Sequence, residues 1–141
     1  MVQTTLVKSL IPIAIVLALA SAYGIWYQRS RGVVKAKERA GVITAQMIGG
    51  ALGSRATLVQ FSSAFCTPCR ATRALLENVV EDLEDVIHID IDAEDHLALV
   101  RELNILSTPT TLILDSKGHE VGRAVGAPKR EQVLNALAAI R

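Results

Sequence analysis

The sequence predicts an α/β domain with a mixed central sheet and helices on both faces, preceded by one N-terminal apolar helix. Three observations lead there. From residue 44 onward, apolar runs of strand length take turns with segments of helical period. The last two strand-like runs are joined by a tight Ser116-Lys117-Gly118 turn, so an antiparallel hairpin accompanies the crossover connections. An uncharged 18-residue stretch, Leu10 to Tyr27, stands apart near the N-terminus.

The 141 residues are enough for one ordinary domain, and half of them are hydrophobic, so a core can be buried. The net charge of +1 hides an asymmetry: residues 1–55 hold seven Lys or Arg against Glu38 alone, a balance of +6, and residues 56–141 balance to −5. The basic cluster adjoins the apolar stretch instead of lying on the folded part, which argues against a nucleic-acid partner.

Residues 1–9 read as a tail and 10–28 as a transmembrane helix. The stretch is just long enough to cross hydrocarbon, and Tyr23, Trp26 and Tyr27 fall at its end, where an aromatic belt meets headgroups. Pro12 lies near its start, where a missing N–H costs little. A buried core helix is the alternative, but the chain is too small to surround a helix apolar on every face. A cleaved signal peptide is another, because Ala20-Ser21-Ala22 resembles a cleavage site. The apolar run continues past that site, however, and the positive charge lies beyond it. Residues 29–41, with Arg29, Arg31, Lys35, Lys37 and Arg39, read as a basic juxtamembrane linker able to touch anionic lipid. By the positive-inside rule they hold the rest of the chain, 42–141, in the cytoplasm.

Within that domain Thr44 can cap a short helix, 45–52, closed by Gly53. Residues 57–62 read as a buried strand. Ala71, Leu75, Leu76, Val79, Val80 and Leu83 share one face of a helix over 69–84. A strand at 86–92, a helix at 96–103, strands at 110–115 and 120–125, and a helix from Pro128 to Ile140 complete the order.

The chemistry sits in Phe65-Cys66-Thr67-Pro68-Cys69-Arg70, between a strand end and a helix start. These are the chain's only two cysteines, so each has no other partner. A thiolate attacks disulfides, and a cysteine at a helix N-terminus meets free N–H groups and the positive end of the helix dipole. Arg70 and Arg73 add positive charge, and Pro68 suits the first turn. A zinc site would need two more ligands, and His88, His96 and His119 are scattered. The reading is metal-free and cofactor-free.

This region resembles the thioredoxin family over about 100 residues: a strand leading into the CxxC, then Thr108-Pro109-Thr110 forty residues after Cys69, then Val125-Gly126-Ala127 before the last helix. The resemblance implies a thioredoxin-like fold and a thiol–disulfide oxidoreductase with Cys66 and Cys69 as its redox-active disulfide. It further implies that Thr108 and Pro109 form a cis-proline loop and, with Gly126, meet the substrate. Phe65, Thr67, Pro68, Arg70 and Gln60 would support the pair. The chain departs from the family pattern in having Phe65 for Trp, Ser62 for an aromatic, a Thr-Pro dipeptide, and Thr108 before the proline. Gln60 stands where the family buries an Asp, so the usual base for Cys69 is missing, and the family's Lys partner has no clear counterpart around His88. The function expected is a membrane-anchored reductant of protein disulfides facing the cytoplasm, supplied by an upstream reductant or membrane partner. The alternatives are an exported protein serving extracytoplasmic disulfides or cytochrome assembly, and a non-enzymatic docking module.

Overall fold

The computed structural model describes the backbone of residues 2–30, 34–36 and 41–141, and the side chains of 11–27 and 41–141. The chain divides into two compact units, meeting in sequence between Ser30 and Arg31.

The first unit is one helix, α1 (Val2–Ser30), of 29 residues with Pro12 inside it. Between Ile11 and Tyr27 its large apolar side chains are exposed, and the Tyr23 ring lies 6.0 Å from that of Trp26 and 6.2 Å from that of Tyr27. Among the described residues, no helix is long and apolar enough to cross a membrane. The expected span of 10–28 reaches beyond the described side chains at both ends, and the expected tail and linker lie largely outside them.

The second unit runs β1 (Val34–Ala36), α2 (Ala45–Ile48), β2 (Ala56–Ser62), α3 (Thr67–Glu81), β3 (Val86–Asp92), α4 (Leu97–Glu102), β4 (Thr110–Asp115), β5 (Glu120–Val125) and α5 (Arg130–Ala138). The five strands form one mixed sheet in the order β1-β5-β4-β2-β3. β2 pairs parallel with β3 and antiparallel with β4, and β5 is antiparallel to both β4 and β1.

Every residue of β2 is buried, because side chains from both faces of this central strand meet helices. Val59 and Phe61 join Ile91, Leu112 and Leu114 in a core closed by α2 and α4. Ala56 and Leu58 join Val86, Ile113 and residues of α3 and α5 in a second core on the opposite face. Strand alternation therefore delivers Gln60 to the α3 side, with the even-numbered positions of β2.

The structure corrects several expected boundaries, among them those of α3, which starts two residues and ends three residues earlier than expected, at Thr67 and Glu81. The segment expected to be a plain linker contains β1, paired as Val34↔Ala124 and Ala36↔Gly122. Three residues are too few to show a period, and it is the partner edge that makes them a strand. Helix α2 ends at Ile48, where Gly49 takes a left-handed φ of 70°, four residues before the predicted end. Gly53 serves close approach instead: a Cβ there would lie 2.1 Å from Ala56 O. Helix α5 starts at Arg130 with Lys129 as its cap, so Pro128 precedes the helix.

The β4–β5 turn is also a fastening. Ile43 N donates to Gly118 O at 2.8 Å. Gly118 has φ +85°, and a Cβ there would come within 2.2 Å of Ile43 O.

Candidate active site

Cys66 and Cys69 form a disulfide, with Cα atoms 5.2 Å apart. Cys66 is the N-cap of α3, in extended geometry at φ −100°, and its Sγ accepts a hydrogen bond from Cys69 N at 3.2 Å. Pro68 occupies the first turn, where its missing N–H leaves no gap in the helix ladder. Cys69 is 1% exposed and Cys66 is half-buried, so a substrate can reach Cys66 alone of the two. Thr67 and Pro68 are exposed, and Arg70 reaches back toward Thr67 with Nη2 3.5 Å from Oγ1. Phe65, beside Cys66, is fully exposed.

The Thr108–Pro109 peptide is cis. Pro109 O accepts from Gly126 N at 2.8 Å, which joins the start of β4 to the end of β5. Thr108 Oγ1 lies 3.3 Å from Ser63 Oγ, tying this loop to the segment that leads into Cys66. The three positions expected to meet substrate thus lie on two loops joined by that hydrogen bond.

Under the disulfide lies a polar network. Gln60 is fully buried, and its Nε2 donates to Cys69 O and to Ser62 Oγ, both at 2.9 Å. A backbone carbonyl can only accept, so Gln60 must present its NH2 there and turn Oε1 the other way. Oε1 faces His88 Nε2 at 3.2 Å, so His88 carries its hydrogen on Nε2. Ser62 Oγ donates to Asp90 Oδ1 at 2.6 Å, and Arg73 Nη2 pairs with Asp90 Oδ2. The β2–β3 register, Leu58↔His88 and Gln60↔Asp90, settles which residue stands beside Gln60. Sequence reasoning passed over Ser63, Asp90 and His88 as site residues. The signal was present as two polar stripes, 60/62 and 88/90/92, which strand period puts on one face of neighbouring strands.

Burial holds the His88 pKa below its ordinary value; Asp90 and Glu77 pull it up and Arg73 pushes it further down. The group is therefore neutral in the folded domain at neutral pH. Above about pH 6.5 the folded and unfolded states are both uncharged at this residue. Below it the unfolded chain takes the proton first, so stability falls on acidification. Urea midpoints at about pH 7.5 and pH 5.5 should therefore differ more in the wild type than in His88→Gln, which keeps a donor for Gln60 but does not titrate. An equal loss in both proteins would show that His88 contributes nothing to the acid sensitivity.

The family model described as Thioredoxin matches residues 49–139. The chain is 31% identical to a thioredoxin of Chlamydia pneumoniae over 94 residues, which cover 67% of this chain and 91% of that one. It is 29% identical to a thioredoxin of Pongo abelii over 81 residues, 57% of this chain and 76% of the relative. Among solved structures, thioredoxin NaTrxh from Nicotiana alata superposes with a TM-score of 0.56 at 26% identity, covering 62% of this chain and 75% of that one.

Proposed function

The chain belongs to the thioredoxin family of thiol–disulfide oxidoreductases, and on that premise we propose that it reduces protein disulfides at the cytoplasmic face of a membrane, held there by residues 10–28. The observation that carries the redox reading is the division of labour at α3: one sulfur at the helix start within reach of substrate, the other buried behind it. In the reduced protein the Cys66 thiolate attacks a substrate disulfide and expels one substrate thiolate. Cys69 then attacks Cys66 Sγ, releases the second, and restores the Cys66–Cys69 bond. The helix N-terminus favours the thiolate by its free N–H groups and dipole. An upstream reductant must return two electrons for each cycle.

The membrane reading is supported by the uncharged run Leu10–Tyr27, by the outward-facing apolar side chains and terminal aromatic cluster of α1, and by the basic residues that follow it. Its test is a membrane-impermeant maleimide applied to intact cells making the reduced protein. No labelling of Cys66 until the cells are permeabilised, with the protein in the membrane fraction, is the expected result. Labelling of intact cells would move the domain to the other side, and a soluble full-length chain would remove the anchor.

A further inference from the structure

The resolving step poses a problem of proton transfer. Cys69 must become a thiolate before it can attack Cys66, yet it is 1% exposed and Gln60 beneath it has no proton to exchange. We propose that Asp90 takes the proton of Cys69, across a cavity that the two residues share, while Ser62 and Gln60 hold the carboxylate in place. The inference rests on the oxidoreductase reading above and names the group that makes its second step fast.

The cavity is about 220 Å3, and Cys69, Ser62, Arg70, Arg73, Asp90 and Asp92 line it. Its polar walls give room and partners for a water that bridges sulfur and carboxylate. Asp90 stands on the open edge strand β3, and it is fixed from two sides: Ser62 donates to Oδ1 at 2.6 Å and Arg73 pairs with Oδ2. Gln60 makes the first of these contacts obligatory. By donating to Ser62 Oγ it occupies a lone pair there, so the hydroxyl hydrogen turns to Asp90. The same amide group donates to Cys69 O, so one side chain sets both ends of the path.

Among the charged groups on the cavity, Asp90 is set apart by its contact with Ser62. Asp92 Oδ1 accepts from Glu94 N at 2.9 Å, and Arg70 and Arg73 are cations that cannot accept a proton. His88 gives its Nε2 hydrogen to Gln60, and Glu77 acts on His88 from α3. In the step itself, the Cys69 S–H bond breaks and its proton passes by water to the Asp90 carboxylate. The sulfur pair forms the bond to Cys66 Sγ, the Cys66–substrate S–S bond breaks, and its electrons leave on the substrate sulfur. Asp90 then returns its proton to solvent.

The test uses the full-length chain in detergent micelles with a disulfide-bonded peptide, quenched with acid at intervals. This separates formation of the Cys66 adduct from its resolution. In Asp90→Asn, adduct formation should stay within about twofold of wild type while resolution at pH 7 slows about 10- to 100-fold and becomes proportional to hydroxide. Gln60→Asp placed in the Asp90→Asn background should restore most of the lost rate and its plateau against pH. In the wild-type background, Gln60→Asp removes the NH2 group that turns Ser62 toward Asp90, so resolution should not speed up. An unaltered resolution profile in folded Asp90→Asn overturns the proposal. So does a tenfold or larger gain from Gln60→Asp alone, a result available even if Asp90→Asn does not fold. A wild-type protein that forms no adduct at all would overturn the oxidoreductase reading itself, before Asp90 enters.

Discussion

Cys69→Ser should leave the protein able to attack disulfides and unable to let go of them. Cys66 keeps its place at the cap of α3 and its reach to substrate. The adduct it forms is then stranded, because the attacking group 5.2 Å away between Cα atoms is lost. Well-oriented intramolecular reactions reach effective molarities on the order of 10⁵ M or more, so a millimolar external thiol is a poor substitute. Turnover should fall at least about 1,000-fold, with mixed disulfides visible on non-reducing gels. Cys66→Ser should abolish turnover without any adduct, since the remaining sulfur is buried. Alkylation of the reduced wild type near neutral pH should follow the same order, Cys66 far ahead of Cys69. Equal alkylation of the two thiols, or adducts captured by Cys66→Ser, would reverse the assignment.

The largest effect on stability should come from a pair far from the sulfurs. Arg123 Nε donates to Glu120 Oε1 at 2.6 Å and its Nη2 to Oε2 at 2.9 Å, with the Arg123 side chain 10% exposed and that of Glu120 3%. The guanidinium also donates to Leu103 O at 2.9 Å and Asn104 O at 3.2 Å, which caps the end of α4 and ties it to β5. Glu120→Ala leaves a buried cation with only carbonyl partners, and should cost about 3–5 kcal/mol. Replacing both, as Glu120→Leu with Arg123→Met, removes the two charges together and should cost much less. Urea unfolding of the two variants decides it. A double variant as unstable as the single one would mean that the contacts to α4 matter more than the buried charge.

Much of this was legible in the sequence, for reasons that can be named. β3, β4 and β5 begin and end at the predicted residues because alternation and turn residues bound them on both sides. The placement of Cys66 at a strand–helix junction followed from a local pattern of apolar spacing around the CxxC. β1 was not legible, since its pairing is owed to a strand some ninety residues away. Nor was the polar network. Ser62 read as a lost aromatic, and Asp90 drew no notice within the strand expected at 86–92; each acquires a role through the β2–β3 register and the Gln60 amide. A side chain whose partner is chosen by tertiary pairing carries no mark of it in its own neighbourhood.

Hairpin tips are the usual places to graft a peptide or to open a chain for circular permutation, because their backbone owes nothing to the rest of the molecule. The turn around Gly118 is an exception. Its carbonyl receives Ile43 N, Val42 bridges to His119 nearby, and there is no room at Gly118 for even a methyl group. New termini or an inserted epitope at this tip would unfasten the approach of the chain to the sheet as well as lengthen a loop. A reporter placed here to follow the protein would therefore loosen the lid of the α2 core, and a drop in its signal would reflect the graft and not the molecule.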